Sequence, residues 1–221
     1  MQGNTVSTQV DARVLATNKL IRNTYMLLAM TLLFSAVTAT LSVFLRLPPM
    51  TYLLCLGGAI ALMWFVLPRT ANSGTGIGVV FGITGLLGLG LGPLLSMYLS
   101  LPNGPQIVAT ALGGTGVIFF ALSGYALTTR KDFSFMGGFL ATGFIVVLVA
   151  ALVNIFLGIP AFSLAISATV VMLMSGFLLY ETSQMVHGGQ DNYVLATVGL
   201  YMTIFNLFVS LLHLLGFASN D

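Results

Sequence analysis

Seven apolar stretches near residues 24–45, 50–67, 77–99, 106–128, 136–158, 161–187 and 193–216 fill almost the whole chain. A helix rising 1.5 Å per residue needs about 20 such residues to cross a hydrocarbon core about 30 Å thick. The separators carry turn and breaker chemistry: Pro48-Pro49, Pro68 to Gly76, Pro102 to Pro105, Arg130-Lys131-Asp132, Gly158 to Pro160 and Gly188 to Asn192. Only 5% of the residues are charged, against about 25% in a soluble domain, so water cannot be the solvent for this surface. The expected fold is an all-α integral membrane protein, a bundle of seven transmembrane helices. Residues 1–23 are expected to form a polar N-terminal tail, 24–216 the membrane domain and 217–221 a short C-terminal tail. The tail lacks an apolar core followed by a small-residue cleavage site, and it is read as retained.

Basic residues orient the bundle. With the N-terminus in the cytoplasm, the inner segments hold Arg13, Lys19, Arg22, Arg69, Arg130 and Lys131, and the outer segments hold only Arg46. That asymmetry places the N-terminus inside and the C-terminus outside. The net charge of +2 comes from scattered side chains and makes no nucleic-acid patch. Cys55 is the sole cysteine, which excludes an internal disulfide. The chain has no metalloprotease, serine-hydrolase or P-loop motif and no pair of intramembrane aspartates. Its two histidines, His187 and His213, fall at opposite predicted faces and cannot share a metal. An enzyme is not expected, nor a resident metal, a cofactor or a small-molecule substrate.

Helices in lipid associate by close packing and hydrogen bonds, because lipid tails are as apolar as leucine. The third stretch places Gly78, Gly82, Gly85, Gly92 and Ser96 at helical spacing, and the first carries Thr24, Thr31, Ser35, Thr38 and Ser42. Both stripes read as packing surfaces, with a lined water path as the alternative. In the seventh stretch Gly199, Thr203, Asn206, Ser210 and His213 step by four and three. Polar groups on a lipid-embedded helix belong against protein, so this helix is expected at the centre of the bundle. His213, near its outer end, is expected at the interface.

Glu181 is the only acidic residue between Phe133 and Gln190. The glycines after His187 mark a helix end, which puts Glu181 about 10 Å inside it, and Thr203 lies about 15 Å into the next helix. The two therefore reach comparable depth, and Arg69 is a candidate third member of that layer. One reading makes Glu181 a protonatable switch, since burial disfavours the charged carboxylate and a nearby arginine favours it; the other makes it an interfacial group. His187 and Asp191 read as a solvated loop pair, with pH sensing as the sharper alternative.

Several runs carry a resemblance across the membrane region: Thr129-Arg130-Lys131-Asp132-Phe133-Ser134-Phe135, Asn154-Ile155-Phe156, Tyr180-Glu181, Leu200-Tyr201 and Asn206-Leu207-Phe208. Together they resemble the Bax inhibitor 1 family. The polar tail, with Glu181-Thr182-Ser183 and His187-Gly188-Gly189, is similar to the bacterial branch that modulates the membrane-anchored protease FtsH. The resemblance implies a central seventh helix surrounded by the other six, and FtsH as the partner. The tail, with Asp11, Arg13, Lys19 and Arg22, would be the segment offered to that protease. It also implies, as an alternative, a pH-sensitive calcium leak whose sensor is a pair of aspartates on the sixth and seventh helices. Here Glu181 and Thr203 stand at those positions, forming with Arg69 and Asn206 an expected gate or polar latch. A glutamate–threonine pair cannot share a proton between two carboxylates, and one carboxylate is poor provision for calcium.

Overall fold

The computed structural model describes the backbone of residues 2–218 and the side chains of residues 15–218. Among the described residues, seven helices are long and apolar enough to cross a membrane. They are α1 (Gln2–Phe44, with its apolar span at Leu15–Phe44), α2 (Met50–Thr70), α3 (Thr75–Leu99) and α4 (Gly104–Thr129), then α5 (Gly137–Leu157), α6 (Pro160–His187) and α7 (Tyr193–Ala218). A 3₁₀ turn at Ser134–Met136 leads into α5. No strand occurs among the described residues.

The expected break after residue 23 is absent. No glycine or proline interrupts residues 4–47, and α1 runs unbroken for 43 residues. Lys19 and Arg22 are exposed on its early turns, where their long stems can lie along the helix while the charges reach outward. The side chains of Asp11 and Arg13, and residues 219–221 of the expected C-terminal tail, lie outside the described residues. The other six spans agree with the sequence reading to within a few residues.

Prolines and glycines shape the ends. α5 and α6 stop at Gly158 and Gly188, both with positive φ, the left-handed cap that glycine adopts without strain. Asn154 clasps the turn between them, donating to Ser163 Oγ at 2.6 Å and accepting the Ile159 N–H. Asn192 caps α7, its Oδ1 accepting the N–H groups of Val194 and Leu195. Its Nδ2 donates to Ala71 O and Asn72 Oδ1, tying the α2–α3 turn to the start of α7.

α7 is the most buried span, and it packs against α1, α3, α4 and α6. The expected ring of six around it is incomplete: α2 packs on α3, and α5 packs on α6, as outer layers. Their sequences agree, since α5 exposes Phe139, Ile145, Ile155 and Phe156, a surface suited to lipid and not to a crowded centre. The glycine stripe of α3 also splits between neighbours. Gly85 and Gly92 meet α1, Gly82 meets Leu62 of α2, and Gly78 faces open space. Gly88 and Gly90, off the expected stripe, turn out to be contact points with α1 and α2.

The tightest of these contacts repairs a backbone defect. Pro93 inside α3 has no N–H, so it cannot bond the carbonyl four residues back, at Leu89. Ser42 of α1 donates to that carbonyl at 2.7 Å. Gly92 makes the approach feasible, because any Cβ there would collide with Ser42. A neighbouring hydroxyl is one of the few ways to satisfy such a group in hydrocarbon. Ser42→Ala should therefore cost about 1–3 kcal/mol, read as a lower midpoint of thermal unfolding in detergent. Pro93→Ala restores the missing donor, so in that background Ser42→Ala should become close to neutral; equal losses in both backgrounds would refute the repair.

Candidate functional site

Glu181 sits on α6 where that helix crosses α7. Thr203 Oγ1 donates to Glu181 Oε2 at 3.0 Å, so the two residues expected at comparable depth do meet. One turn before Thr203, Gly199 makes room for the carboxyl group, since a Cβ there would stand 2.8 Å from Glu181 Oε1. Gly199 and Thr203 together form a small notch on α7 that receives the carboxyl group. The notch is read from the i, i+4 spacing that puts both residues on one helical face.

Arg69 is not part of this layer. It is exposed, its guanidinium donates to Phe65 O at 3.1 Å in its own helix, and α2 does not touch α6 or α7. The cause is the place of α2, which packs on α3 and lies outside the α6–α7 crossing. Asn206 is likewise occupied at home, its Nδ2 donating to Met202 O at 2.8 Å. Thr203 is thus the described hydrogen-bond partner of Glu181, and no cation faces it among the described residues. His213 is not a free interfacial group: its Nδ1 lies 2.7 Å from Ser167 Oγ, another α6–α7 link.

Beside Glu181 runs a chain of hydroxyls that sequence reasoning missed. Thr182 Oγ1 lies 3.4 Å from both Tyr25 OH and Ser123 Oγ, joining α6 to α1 and α4. No pattern within a single helix could reveal it, because each member comes from a different helix.

A second polar cluster closes the N-terminal end of the bundle. Ser183 Oγ accepts the Phe133 N–H at 2.9 Å. His187 is anchored rather than free in a loop: Nε2 lies 3.1 Å from Arg130 O, and Nδ1 lies 3.0 Å from Ser183 O. Gln184 Nε2 donates to Ser134 Oγ at 3.0 Å. These side chains of α6 hold the α4–α5 connection, residues 130–134. Asp132, exposed in that connection, accepts the Ser134 N–H at 2.8 Å, and bonding to Ser134 holds its carboxyl group below the usual carboxylate range. Asp191 does not pair with His187; the two line a cleft of about 710 Å³ with mixed polar and apolar walls, which Asn18 and Arg130 also line. The i, i+4 spacing of Ser183 and His187 is the signal in the sequence for this clamp.

Chemically, the Glu181 notch is a latch between two helices. Among the described residues there is no group of three His, Cys, Asp or Glu side chains placed to hold a metal ion. Thr203→Val should lower stability by about 1–3 kcal/mol by leaving the carboxyl group without its donor. Glu181→Leu in the same background should recover part of that loss, and additive effects in thermal unfolding would disprove the latch. His187→Ala should speed hydrogen exchange of the amides at 130–134 while leaving α6 itself protected; unchanged exchange there would remove the clamp.

The sequence profile described as "Inhibitor of apoptosis-promoting Bax1" matches residues 17–220. The chain is 53% identical over 208 residues to the Escherichia coli protein named "Modulator of FtsH protease YccA", covering 94% of each chain. An uncharacterized membrane protein of Vibrio cholerae is 46% identical over 209 residues, covering 95% of this chain and 94% of the relative. A Pseudomonas aeruginosa protein is 47% identical over 201 residues, covering 91% and 90%. The E. coli relative is also described, in a second strain, as an inner membrane protein. With seven membrane-spanning helices and a family match over nearly its full length, the chain is a multi-pass inner-membrane protein that belongs to the Bax inhibitor 1 family.

Proposed function

We propose that this protein binds the membrane-anchored protease FtsH and slows its action on other membrane proteins. The observation that carries the reading is the 53% identity, across 94% of both chains, to a protein named as a modulator of that protease. The bundle supplies a physical reason why such a chain would be handled slowly. A protease that pulls on the end of α1 must detach a helix packed along α3 and α7. It must also break the Ser42–Leu89, Ser35–Tyr201 and Thr197–Thr24 hydrogen bonds. In hydrocarbon none of these groups finds a replacement partner in the solvent.

The basic-residue asymmetry supports a cytoplasmic N-terminus. On that reading the polar N-terminal part of α1, with Asp11, Arg13, Lys19 and Arg22, is the segment presented to the protease. Inhibition then arises from occupancy: the chain engages the protease and resists extraction, and other substrates wait. Deletion of residues 2–14 should lengthen the half-life of the protein in cells containing FtsH. The full chain should co-purify with a proteolytically inactive FtsH, and the shortened chain should do so less. Equal half-lives and equal recovery would rule out that segment, and no recovery of the full chain would rule out the complex.

A further inference from the structure

The backbones of α1 and α4 stand apart. Between them lies a cavity of about 530 Å³, open at the side of the bundle and backed by α3 and α7. Its walls run from Leu32 to Val43 on α1, from Leu91 to Leu99 on α3 and from Phe120 back to Val108 on α4. The ring pair Tyr25–Phe119, with centroids 6.0 Å apart, bridges α1 and α4 at the inner end of this slot. Ile204, Phe205 and Phe208 of α7 form its floor, each only 7–8% exposed.

Three properties of the slot define what fits it. First, eleven residue steps along α1 at 1.5 Å give a length of about 17 Å, close to half of a hydrocarbon core about 30 Å thick. α1, α3 and α4 place the slot in the half of the bundle towards the C-terminal end of α7, and α7 closes it near its own midpoint, so the slot spans about the depth of one leaflet. Second, its hydroxyls are already engaged. Ser35 Oγ and Tyr201 OH lie 2.6 Å apart, Thr115 donates to Ala111 O, and Thr40 donates to Ala36 O. A water needs two to four polar partners, and beside these four hydroxyls, whose protons are already donated within the protein, the lining is apolar or glycine, which favours an apolar occupant. Third, the volume falls within the range of about 300–1,000 Å³ typical of small-ligand sites. A spanning helix 10–12 Å across is far too large to enter.

We propose that this slot is a lipid site that takes one acyl chain of a bilayer phospholipid, entering sideways between α1 and α4. Charge supports a phospholipid over a bare hydrocarbon. Arg46 is exposed three residues beyond Val43, at the end of the slot where the lipid phosphate would lie, and it is the only basic residue after Arg22 and before Arg69.

The test uses the full chain in nanodiscs of phosphatidylethanolamine and phosphatidylglycerol, doped with a phosphatidylethanolamine carrying a diazirine midway along one acyl chain. After irradiation, labelled peptides are mapped by mass spectrometry. Phe156 of α5, 89% exposed, reports ordinary contact with lipid. The proposal expects label at Ile204, Phe205 or Phe208 as well, because the slot is the described route by which a chain reaches them. Gly116→Phe fills the slot from α4, where a Cβ meets nothing within 4 Å, and Ala36→Phe fills it from the exposed rim of α1. Each variant should lose the α7 label and keep the Phe156 label. Absence of α7 label in the native chain would overturn the proposal, whatever the variants do. So would α7 label that survives both substitutions, or α7 crosslinked to a second copy of the chain instead of lipid.

Discussion

Hydrocarbon offers no hydrogen bonds, and α7 is where the bundle meets that condition. Thr197 donates to Thr24 O of α1, Tyr201 reaches Ser35 of α1 and Thr84 O of α3, and Thr203 and His213 join Glu181 and Ser167 of α6. Each of these groups would carry a desolvation cost if it faced acyl chains. Gathering them on one helix and surrounding it with α1, α3, α4 and α6 removes that cost for all of them together. The outer positions of α2 and α5 follow from the same condition, since those helices make no such cross-links to the centre.

Close approach is the second requirement, because helices in lipid gain little from burying apolar surface alone. The α1–α3 contact shows how one substitution makes another necessary. Pro93 opens the backbone of α3, Ser42 closes it from α1, and Gly92 leaves the space in which the two meet. A hydroxyl that looks like surface decoration in the sequence is thus part of the main-chain hydrogen bonding of a different helix. Such interlocking is the physical ground on which the proposed regulation of FtsH rests.

Glu181 illustrates how position and chemistry separate. A sensor was one expectation for this position, but the neighbours here are Thr203, Gly199 and hydroxyls, with no second carboxylate and no cation among the described residues. A single carboxyl group held by one hydroxyl can fasten two helices; it lacks the coupled pair that gives a steep response to pH and the oxygen ligands that calcium needs. The leaflet-deep slot beside α7 points the same way, since its lining is mostly apolar and contains no carboxylate.

The sequence by itself determined the seven apolar spans, the approximate limits of the last six, the helical turn signals and the comparable depth of Glu181 and Thr203. These depend on local quantities: a length of apolar chain set against a fixed hydrocarbon thickness, glycine and proline at helix ends, and similar distances from a short turn along the two helices it joins. Only the tertiary structure decided that Arg69 is spent on Phe65 O, that His187 holds the α4–α5 connection, that Ser42 serves Leu89 and that α1 and α4 stand apart. In each case the deciding partner lies on another helix or depends on how a helix is rotated about its axis. Lipid is equally apolar on every side, so hydropathy fixes how deep a residue lies and leaves open which neighbour it meets.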